Sequence, residues 1–336
     1  MNDNLSTLTL QNMQVKHRAV IGQLGDVDIR LLRVFKAVVD CGGMASAELE
    51  LNIAISTISR HIKDLETRVG LVLCRRGRAG FALTPEGQQL YEATQRLLAA
   101  TEGFRGSLHD IHQRLGGDLH VAVFEKTASN PAAHIPQALA LLRERAPQVQ
   151  LHLHVNGIAV IERGVMDGQF QLGIVPEHRR SDSLDYTPLF DENMLLYAGA
   201  GHPWFAAPPA RADWRALRQQ PLAALGYHSQ NMELTHQRRL QRAATASDQE
   251  GVALLILSGH YLGFLPDHYA QGFVADGRLR AVNPALLRYT CGYSAIVRRS
   301  PEALRVTHAF LDGLRELHPT AAMPLKAPAP DGRRAP

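Results

Sequence analysis

An apolar seam with a seven-residue repeat follows residue 84, and it constrains the fold of this chain more than any other feature. Its members recur alternately four and three positions apart: Leu90, Thr94, Leu97, Thr101, Phe104, Leu108, Ile111 and Leu115. This spacing predicts one long helix over residues 85–116 that pairs with a second helix as a coiled coil. Roughly 30 residues would span about 45 Å, too long to bury against the small unit that precedes them. The predicted dimer contacts are Leu90, Leu97, Phe104, Leu108 and Ile111.

A compact helical unit is predicted over residues 26–84. Asp28 can cap a first helix, a second covers residues 45–51, and residues 55–69 form a third whose buried stripe starts at Ile55 and ends at Gly70. The opposite face of this third helix carries hydroxyls and cations at helical spacing: Ser56, Ser59, Arg60 and Lys63, with Thr57 beside them. Such side chains can hydrogen-bond base edges and neutralise phosphates in a major groove, although a solvated helix face has the same composition.

The next segment, LVLCRRGRAGFALTPEG, predicts a basic hairpin. Residues 71–73 and 81–83 read as its strands, and the glycines between them suit a tight turn. The cations at its tip are Arg75, Arg76 and Arg78, with Arg68 of the third helix as a further phosphate contact. Thr84, Pro85 and Glu86 then read as the start of the long helix. A basic hairpin directly after a basic helix predicts a winged helix-turn-helix that binds DNA.

The second half alternates strands and helices. Strands at residues 119–124, 150–155 and 170–175, with helices at 131–145 and 158–167, predict a parallel sheet. The pattern over residues 117–318 predicts two α/β lobes around a cleft, with lobe I at about 117–193 and 294–318 and lobe II at about 194–293. Residues 1–25 and 319–336 lack periodicity and read as a flexible extension and a disordered tail.

The order of these motifs resembles the LysR-type transcriptional regulators. The resemblance rests on ISRHIKDLETRVG and LCRRGRAGFALTPEG, and it continues through GDLHVAVF, LLYAGAGHPW and SGHYLGFLP. It implies a periplasmic-binding-protein-like effector domain, promoter DNA and a small-molecule effector as partners, a contact with RNA polymerase, and a homodimer or homotetramer. The family often has Ser-Gln-Pro-Ala at the entry to the recognition helix, where residues 54–57 of this chain read Ala-Ile-Ser-Thr. The glutamine readout of adenine therefore does not transfer.

Candidate effector contacts lie at helix starts, where free N–H groups favour ligands. The set is Lys126, Thr127, Ser129 and Asn130 after the first strand, His228 in lobe II, and Ser247, which could form a capping box with Glu250. Each of these is also an ordinary helix cap. In the resembling family the Ser/Thr loop after the first strand usually touches the effector. Glu125 beside Lys126 leaves the charge of the effector open.

Other chemistries have weaker support. His152 and His154 share one strand face but lack a third ligand at a connectable spacing, so no metal is expected. The motifs of the common hydrolases, nucleotide-binding proteins and zinc proteases are absent from the sequence, which argues against an enzyme and against a cofactor. Oxidation of Cys74 is an alternative regulatory device, although a buried strand thiol is the simpler interpretation.

Cysteine usage and hydropathy place the protein in the cytoplasm. The 3 cysteines form no C-x-x-C pair, and the sequence has neither a signal peptide nor a long apolar run. The net charge of +4 over 336 residues is modest, so the basic residues act as a local face. The rival interpretation is a cytoplasmic solute-binding or enzymatic module that uses its helical unit for protein contacts, and DNA binding separates the two.

Overall fold

The computed structural model describes residues 22–77, 80–111, 115–209 and 211–319. Most of the predicted N-terminal extension and C-terminal tail lies outside these residues, and so does Arg78. The chain divides into two compact units between Leu98 and Ala99. Within the described ranges, no helix combines the length and the apolar character needed to cross a membrane.

The N-terminal unit is a cluster of three helices followed by a hairpin and a long helix. Its elements are α1 (Asp26–Asp40), α2 (Met44–Leu51), α3 (Ile55–Val69), β1 (Cys74–Gly77), β2 (Gly80–Leu83) and α4 (Pro85–Ile111), which continues into the second unit. The apolar stripes of α1 and α3 are buried together in one core, as their helical spacing predicts. Ile55 was predicted to share this core but is 41% exposed, because α3 begins there and its core contacts start at Ile58.

The hairpin differs from its prediction in the first strand, which begins three residues later. Residues 71–73 lie outside the β1–β2 ladder, because Leu73 is buried in the helical core and its backbone N–H donates to Glu66 of α3 at 2.8 Å. Arg75 and Arg76 consequently lie on β1, paired with β2, and not at the tip of the turn.

Asp28 ties the start of α1 to the end of α3. Its carboxylate accepts the backbone N–H of Gly25 at 2.9 Å and the Nε–H of Arg68 at 2.5 Å. Asp28 thus caps α1 from within the first turn, two residues inside the observed start, and not from the boundary as predicted. Arg68, predicted to meet phosphate, is held by this ion pair instead.

An acid-sensitive contribution to stability follows from this pair. The Arg68 hydrogen bond lowers the pKa of Asp28 below its ordinary value of 3.8. A depressed carboxyl pKa contributes stability that is present above the ordinary value and is lost as the pH falls through the lower, folded-state value. We expect Asp28→Asn to reduce the free energy of unfolding at about pH 7. The difference in this free energy between the wild type and the variant should become smaller below about pH 4. Denaturant titrations at both pH values test this, and an equal gap at both would contradict it.

The start of α4 fits tightly against the segment of residues 71–73 before the hairpin. The Thr84 hydroxyl accepts the backbone N–H of Gly87 at 2.9 Å and donates to the carbonyl of Val72 at 2.7 Å, which confirms the predicted cap. Gly87 lies so close to the chain that a Cβ atom there would be 1.9 Å from the carbonyl oxygen of Leu73. This position therefore requires glycine.

The apolar seam of α4 separates into two parts. Leu90 and Leu97 pack against the helical core of their own unit. In the second unit Phe104 is 65% exposed and Leu108 is 41% exposed. The side chain of Ile111 lies outside the described residues. The residues left for pairing with a second helix are thus at the C-terminal end of α4, a shorter seam than predicted.

The C-terminal unit is an α/β domain built on one sheet. Its strands are β3 (Gly117–Val123), β4 (Val149–Val155), β5 (Leu172–Pro176), β6 (Leu184–Gly199), β7 (Leu222–Leu225), β8 (Arg242–Ala246), β9 (Leu262–Pro266), β10 (Leu279–Ala281) and β11 (Arg288–Arg298). Its helices are α5 (Ile135–Arg145), α6 (Ile158–Met166), α7 (Pro203–Ala206), α8 (Trp214–Leu217), α9 (Gln230–Gln237), α10 (Gln249–Leu257), α11 (Asp267–Ala275) and α12 (Arg305–Leu317). The strand order is β4-β3-β5-β11-β6-β9-β7-β8, and β10 also pairs with β6.

Two long antiparallel strands, β6 and β11, join the lobes. Their register shifts between Tyr293 and Ser294, opposite Phe190 and Pro188. Lobe I contains β3, β4, β5, α5, α6 and α12. It also contains the first part of β6, up to residue 188, and the last part of β11, from residue 294. Lobe II contains the elements from α7 to β10 and the other halves. These two strands are the crossovers predicted between the lobes.

Several elements of this unit were predicted incompletely. The first ten residues of β6 were missed because acidic side chains such as Asp185 and Asp191 interrupt its apolar pattern. The helix predicted from residue 131 begins as a 3-10 turn, and α5 itself starts at Ile135. Leu115, the last residue of the predicted seam, packs against the core of lobe I.

Candidate DNA interface and ligand cleft

The polar face of α3 is presented to solvent by its buried stripe. Ser56, Arg60 and Lys63 are exposed, and Thr57 and Ser59 are half-buried. Neither Arg60 nor Lys63 forms an ion pair with another of the described residues. Two cations and a hydroxyl group therefore remain available on one face, as a helix that reads a major groove requires.

The hairpin places its first cations on a strand in the same unit. Arg75 is exposed on β1, one residue before Arg76. The Arg76 side chain and the whole of Arg78 lie outside the described residues. The backbone pairing of β1 with β2 nevertheless confirms the hairpin, whose basic strand can follow a phosphate backbone.

In the second unit, the loop after β3 reaches across the cleft. Lys126 Nζ lies 2.6 Å from Glu250 Oε2, and the ammonium group sits 4.6 Å from the centre of the Tyr269 ring. Ser129 Oγ lies 2.9 Å from His268 Nδ1. These partners belong to lobe II, so Lys126 and Ser129 bridge the lobes.

Glu125 makes a third bridge. Its Oε1 accepts the backbone N–H of Gln249, the first residue of α10, at 2.9 Å. The carboxylate thus lies at a helix N-terminus, where it is favoured by the helix dipole. Burial and the nearby Asp248 and Glu250 nevertheless raise the pKa of Glu125. The cleft is therefore closed by contacts that the chain makes with itself.

The remaining predicted effector residues have structural partners. The Thr127 hydroxyl is buried and donates to the Phe124 carbonyl at 3.1 Å, and the Asn130 side chain accepts the N–H of Ala132. His228 Nε2 lies 3.6 Å from Glu233 Oε1. None of these side chains lines the cavity between the lobes.

The predicted capping box at Ser247 is wrong. Asp248 caps α10, because its Oδ1 accepts the N–H of Gly251 at 2.7 Å. Ser247 is exposed and donates to Asp248 at 3.3 Å.

A small cavity of about 30 Å³ lies between the lobes. This volume holds roughly two water molecules. Lobe I contributes Phe124, Ile158, Pro176, Glu177 and His178, lobe II contributes Leu225, Tyr227, Ser229, Gln230, Asn231 and Gln249, and the joining strands contribute Glu192, Met194, Tyr289, Cys291 and Tyr293.

Sequence reasoning missed most of this lining. The alternation of Tyr289, Cys291 and Tyr293 on one face of β11 is the signal that could have found it.

The histidines form a cluster that the sequence did not reveal. His120 of β3 stacks on His152 with ring centroids 4.3 Å apart, and its Nδ1 lies 3.2 Å from His154 Nε2. His152 also contacts Asp118 at 3.1 Å. In the part of the chain that the structure describes, no group of three or more candidate ligands is arranged to hold a metal ion.

The cysteines do not form an intramolecular switch in this structure. All 3 are free thiols. Burial, followed by the charge of Glu192, raises the pKa of Cys291 strongly, which makes this thiol unreactive. Cys74, suggested as an oxidation site, is half-buried on β1.

A winged helix-turn-helix and a two-lobed domain with a cleft define a class of protein, the ligand-responsive DNA-binding regulators. Family models agree with this class: residues 29–88 match "Bacterial regulatory helix-turn-helix protein, lysR family" and residues 112–319 match "LysR substrate binding domain". The transcriptional activator BauR of Pseudomonas aeruginosa is 41% identical over 298 residues, which are 88% of this chain and 96% of BauR. The nitrogen assimilation regulatory protein nac of Escherichia coli is 24% identical over 85% of this chain and 94% of its own.

Solved structures show the same fold. Full-length CbnR in complex with its target DNA matches with a TM-score of 0.58 and 19% identity over 86% of this chain and 99% of its own. A full-length variant of OxyR from Pseudomonas aeruginosa matches with a TM-score of 0.56 and 20% identity over 87% of this chain and 95% of its own. The chain belongs to the LysR family of bacterial transcriptional regulators. It is a DNA-binding regulator with a C-terminal effector-binding domain, and its relatives are regulators and not enzymes.

Proposed function

We propose that α3 lies in the major groove of promoter DNA and that the hairpin follows the adjacent backbone. Ser56, Thr57, Ser59 and Arg60 would face the bases, and Lys63, Arg75, Arg76 and Arg78 the phosphates. The observation that carries this proposal is the exposed, unpaired state of Arg60 and Lys63 within the described chain. A cation held in an ion pair, like Arg68, would first have to lose its partner.

The protein would act as a homodimer or as a tetramer built from dimers. Phe104 and Leu108 present apolar side chains to solvent on the part of α4 beyond the DNA-binding unit. Burying them against a second copy would remove this apolar surface from water and join two reading heads. Paired heads suit an operator with two similar half-sites.

The effector would bind in the cavity between the lobes and shift their equilibrium. Lys126, Glu125 and Ser129 already hold the lobes together, so a ligand changes the conformation only by favouring one lobe arrangement over the other. The similarity to BauR, named an activator, supports activation of the target promoter, with RNA polymerase as the further partner. The protein would work in the cytoplasm, beside chromosomal DNA, without a catalytic step.

Selection of genomic DNA tests this function. The full-length protein is incubated with sheared DNA of its source at about physiological salt, and the retained fragments are sequenced. We expect enrichment of a few promoter sites with paired half-sites. Retention without sequence preference, vanishing as salt rises, would show electrostatic adhesion only and would favour a solute-binding or enzymatic module.

A further inference from the structure

The cavity between the lobes is lined by two acidic side chains. Glu192 of β6 is 4% exposed, and Glu177 follows β5 in lobe I. The described lining contains neither lysine nor arginine. Glu192 accepts from His268 at 2.8 Å and from Tyr293 at 3.2 Å, and Glu177 accepts from Ser294 and, at 3.5 Å, from Arg180. The acidic side chains of the described lining are thus these two carboxylates, and Arg180 lies outside that lining.

The pKa values of one thiol and two phenol groups near the cavity are raised. Burial is the main cause that raises the pKa of Cys291, Tyr227 and Tyr293. In each case carboxylates add to the shift: Glu192 acts on Cys291 and Tyr293, and Glu125 acts on Tyr227. The part of each shift that comes from carboxylates has the sign that favours a nearby cation, whereas the part that comes from burial disfavours any charge.

One buried hydrogen-bond acceptor of the lining has no donor. Gln249 lines the cavity and is 5% exposed, and its Oε1 is buried without a hydrogen-bond partner among the described residues. A buried acceptor without a donor is unfavourable, and a ligand with an N–H or O–H group would satisfy it.

The walls beside the acids are aromatic. Tyr227, Tyr289, Tyr293 and Phe124 line the cavity. Faces of aromatic rings attract cations within about 6 Å of their centres, which is how ammonium groups are recognised in aromatic cages. Acidic groups, an unsatisfied acceptor and aromatic rings thus all favour a ligand that brings positive charge and N–H donors.

We propose that the effector of this regulator carries an ammonium group, which binds in the interlobe cavity against Glu192, Glu177 and Gln249 Oε1. The proposal rests on the proposed function only in taking this cavity as the effector site. Lys126 does not oppose it, because its charge is paired with Glu250 outside the cavity lining. The small volume limits the buried part of the ligand to a short amine, and the cleft must open to admit it.

Three probes of matched size test the charge of the ligand. The full-length protein is titrated by calorimetry with n-propylammonium chloride, 1-propanol and sodium propionate at equal ionic strength. We expect propylammonium to bind most tightly. Tighter binding of propionate or propanol, or no binding of any probe, would overturn the proposal.

Three variants locate the binding site. Glu192→Gln is expected to weaken propylammonium binding at least tenfold, and Gln249→Leu, which removes the unpartnered oxygen, several-fold. Glu144→Gln removes one charge from an exposed position on α5 and should leave the affinity within twofold. Because Glu192 hydrogen-bonds to two neighbours, the fold of Glu192→Gln is checked by circular dichroism. If that variant is misfolded, the affinity of Gln249→Leu for propylammonium tests the site instead. Unchanged affinity in a folded Glu192→Gln or in Gln249→Leu would exclude this site.

The DNA selection experiment is independent of these titrations. Enriched promoter sites together with preferred binding of propionate would contradict the ammonium proposal and support the proposed regulator function. Propylammonium binding without any enriched DNA site would support the ammonium site and contradict the proposed regulator function.

Discussion

Replacing Gly87 with alanine is expected to destabilise the N-terminal unit by about 3 kcal/mol, the upper end of the usual range for overpacking. The added methyl group would meet the Leu73 carbonyl oxygen at 1.9 Å, and this oxygen also accepts the backbone N–H of Thr84 at 3.0 Å. Backbone cannot rotate away as a flexible side chain can, so the segment of residues 71–73 must shift. For a domain of this size the midpoint of thermal unfolding should fall by roughly 15 °C.

Gly103→Ala provides the matched control on the same helix. No atom lies within 4 Å of the position that its Cβ would occupy, and its backbone is helical. Alanine there should stabilise the helix by about 1 kcal/mol through its better helix propensity. Calorimetric scans of both full-length variants make the comparison. Equal effects of the two substitutions would show that the close approach of Gly87 to Leu73 does not constrain the fold.

Replacing Arg60 with alanine is expected to weaken binding to a selected promoter site by about 5- to 150-fold, equivalent to about 1–3 kcal/mol. Arg60 is exposed on α3, one turn after Ser56, so it is placed to contact base edges. Its loss should reduce affinity for unrelated DNA much less. Fluorescence anisotropy titrations with both DNAs at several salt concentrations measure the difference.

Arg76→Ala is the contrasting variant. Removal of the Arg76 side chain from the hairpin should weaken binding to all DNA sequences alike. It should also lower the slope of log affinity against log salt concentration by about 1, as loss of one phosphate contact does. If Arg60→Ala also weakened both DNAs equally, Arg60 would be a phosphate contact and not a base contact.

The N-terminal unit was largely predictable because its signals are local. The spacing of Ile58, Ile62 and Leu65 placed α3, and the Thr84 cap placed the start of α4. The start of β1 was not predictable. It depends on Glu66, which holds the backbone of Leu73 against α3, and this contact between side chain and backbone leaves no periodic trace in the sequence.

The cleft was harder to predict because its residues come from distant parts of the chain. Glu125 and Gln249 meet only once the sheet has formed, and Glu192 lies on a strand that its acidic residues concealed. The loop after β3 was selected as an effector contact, and in the structure it bridges the lobes through Lys126 and Ser129. Its hydroxyl at Thr127, however, is satisfied by the local backbone, as small polar residues at helix starts often are.

The continuity of β6 and β11 sets the order in which the lobes can be completed on the ribosome. Lobe II is an insertion within lobe I, so β5 waits for its partner β11 while about 120 further residues are made, roughly 10 s at typical rates of translation. Until then lobe I also lacks the apolar face of α12, which supplies Phe310, Leu311 and Leu314. The lobe that is synthesised first is thus finished last, and a nascent chain that stalls before residue 294 exposes an open sheet edge to aggregation.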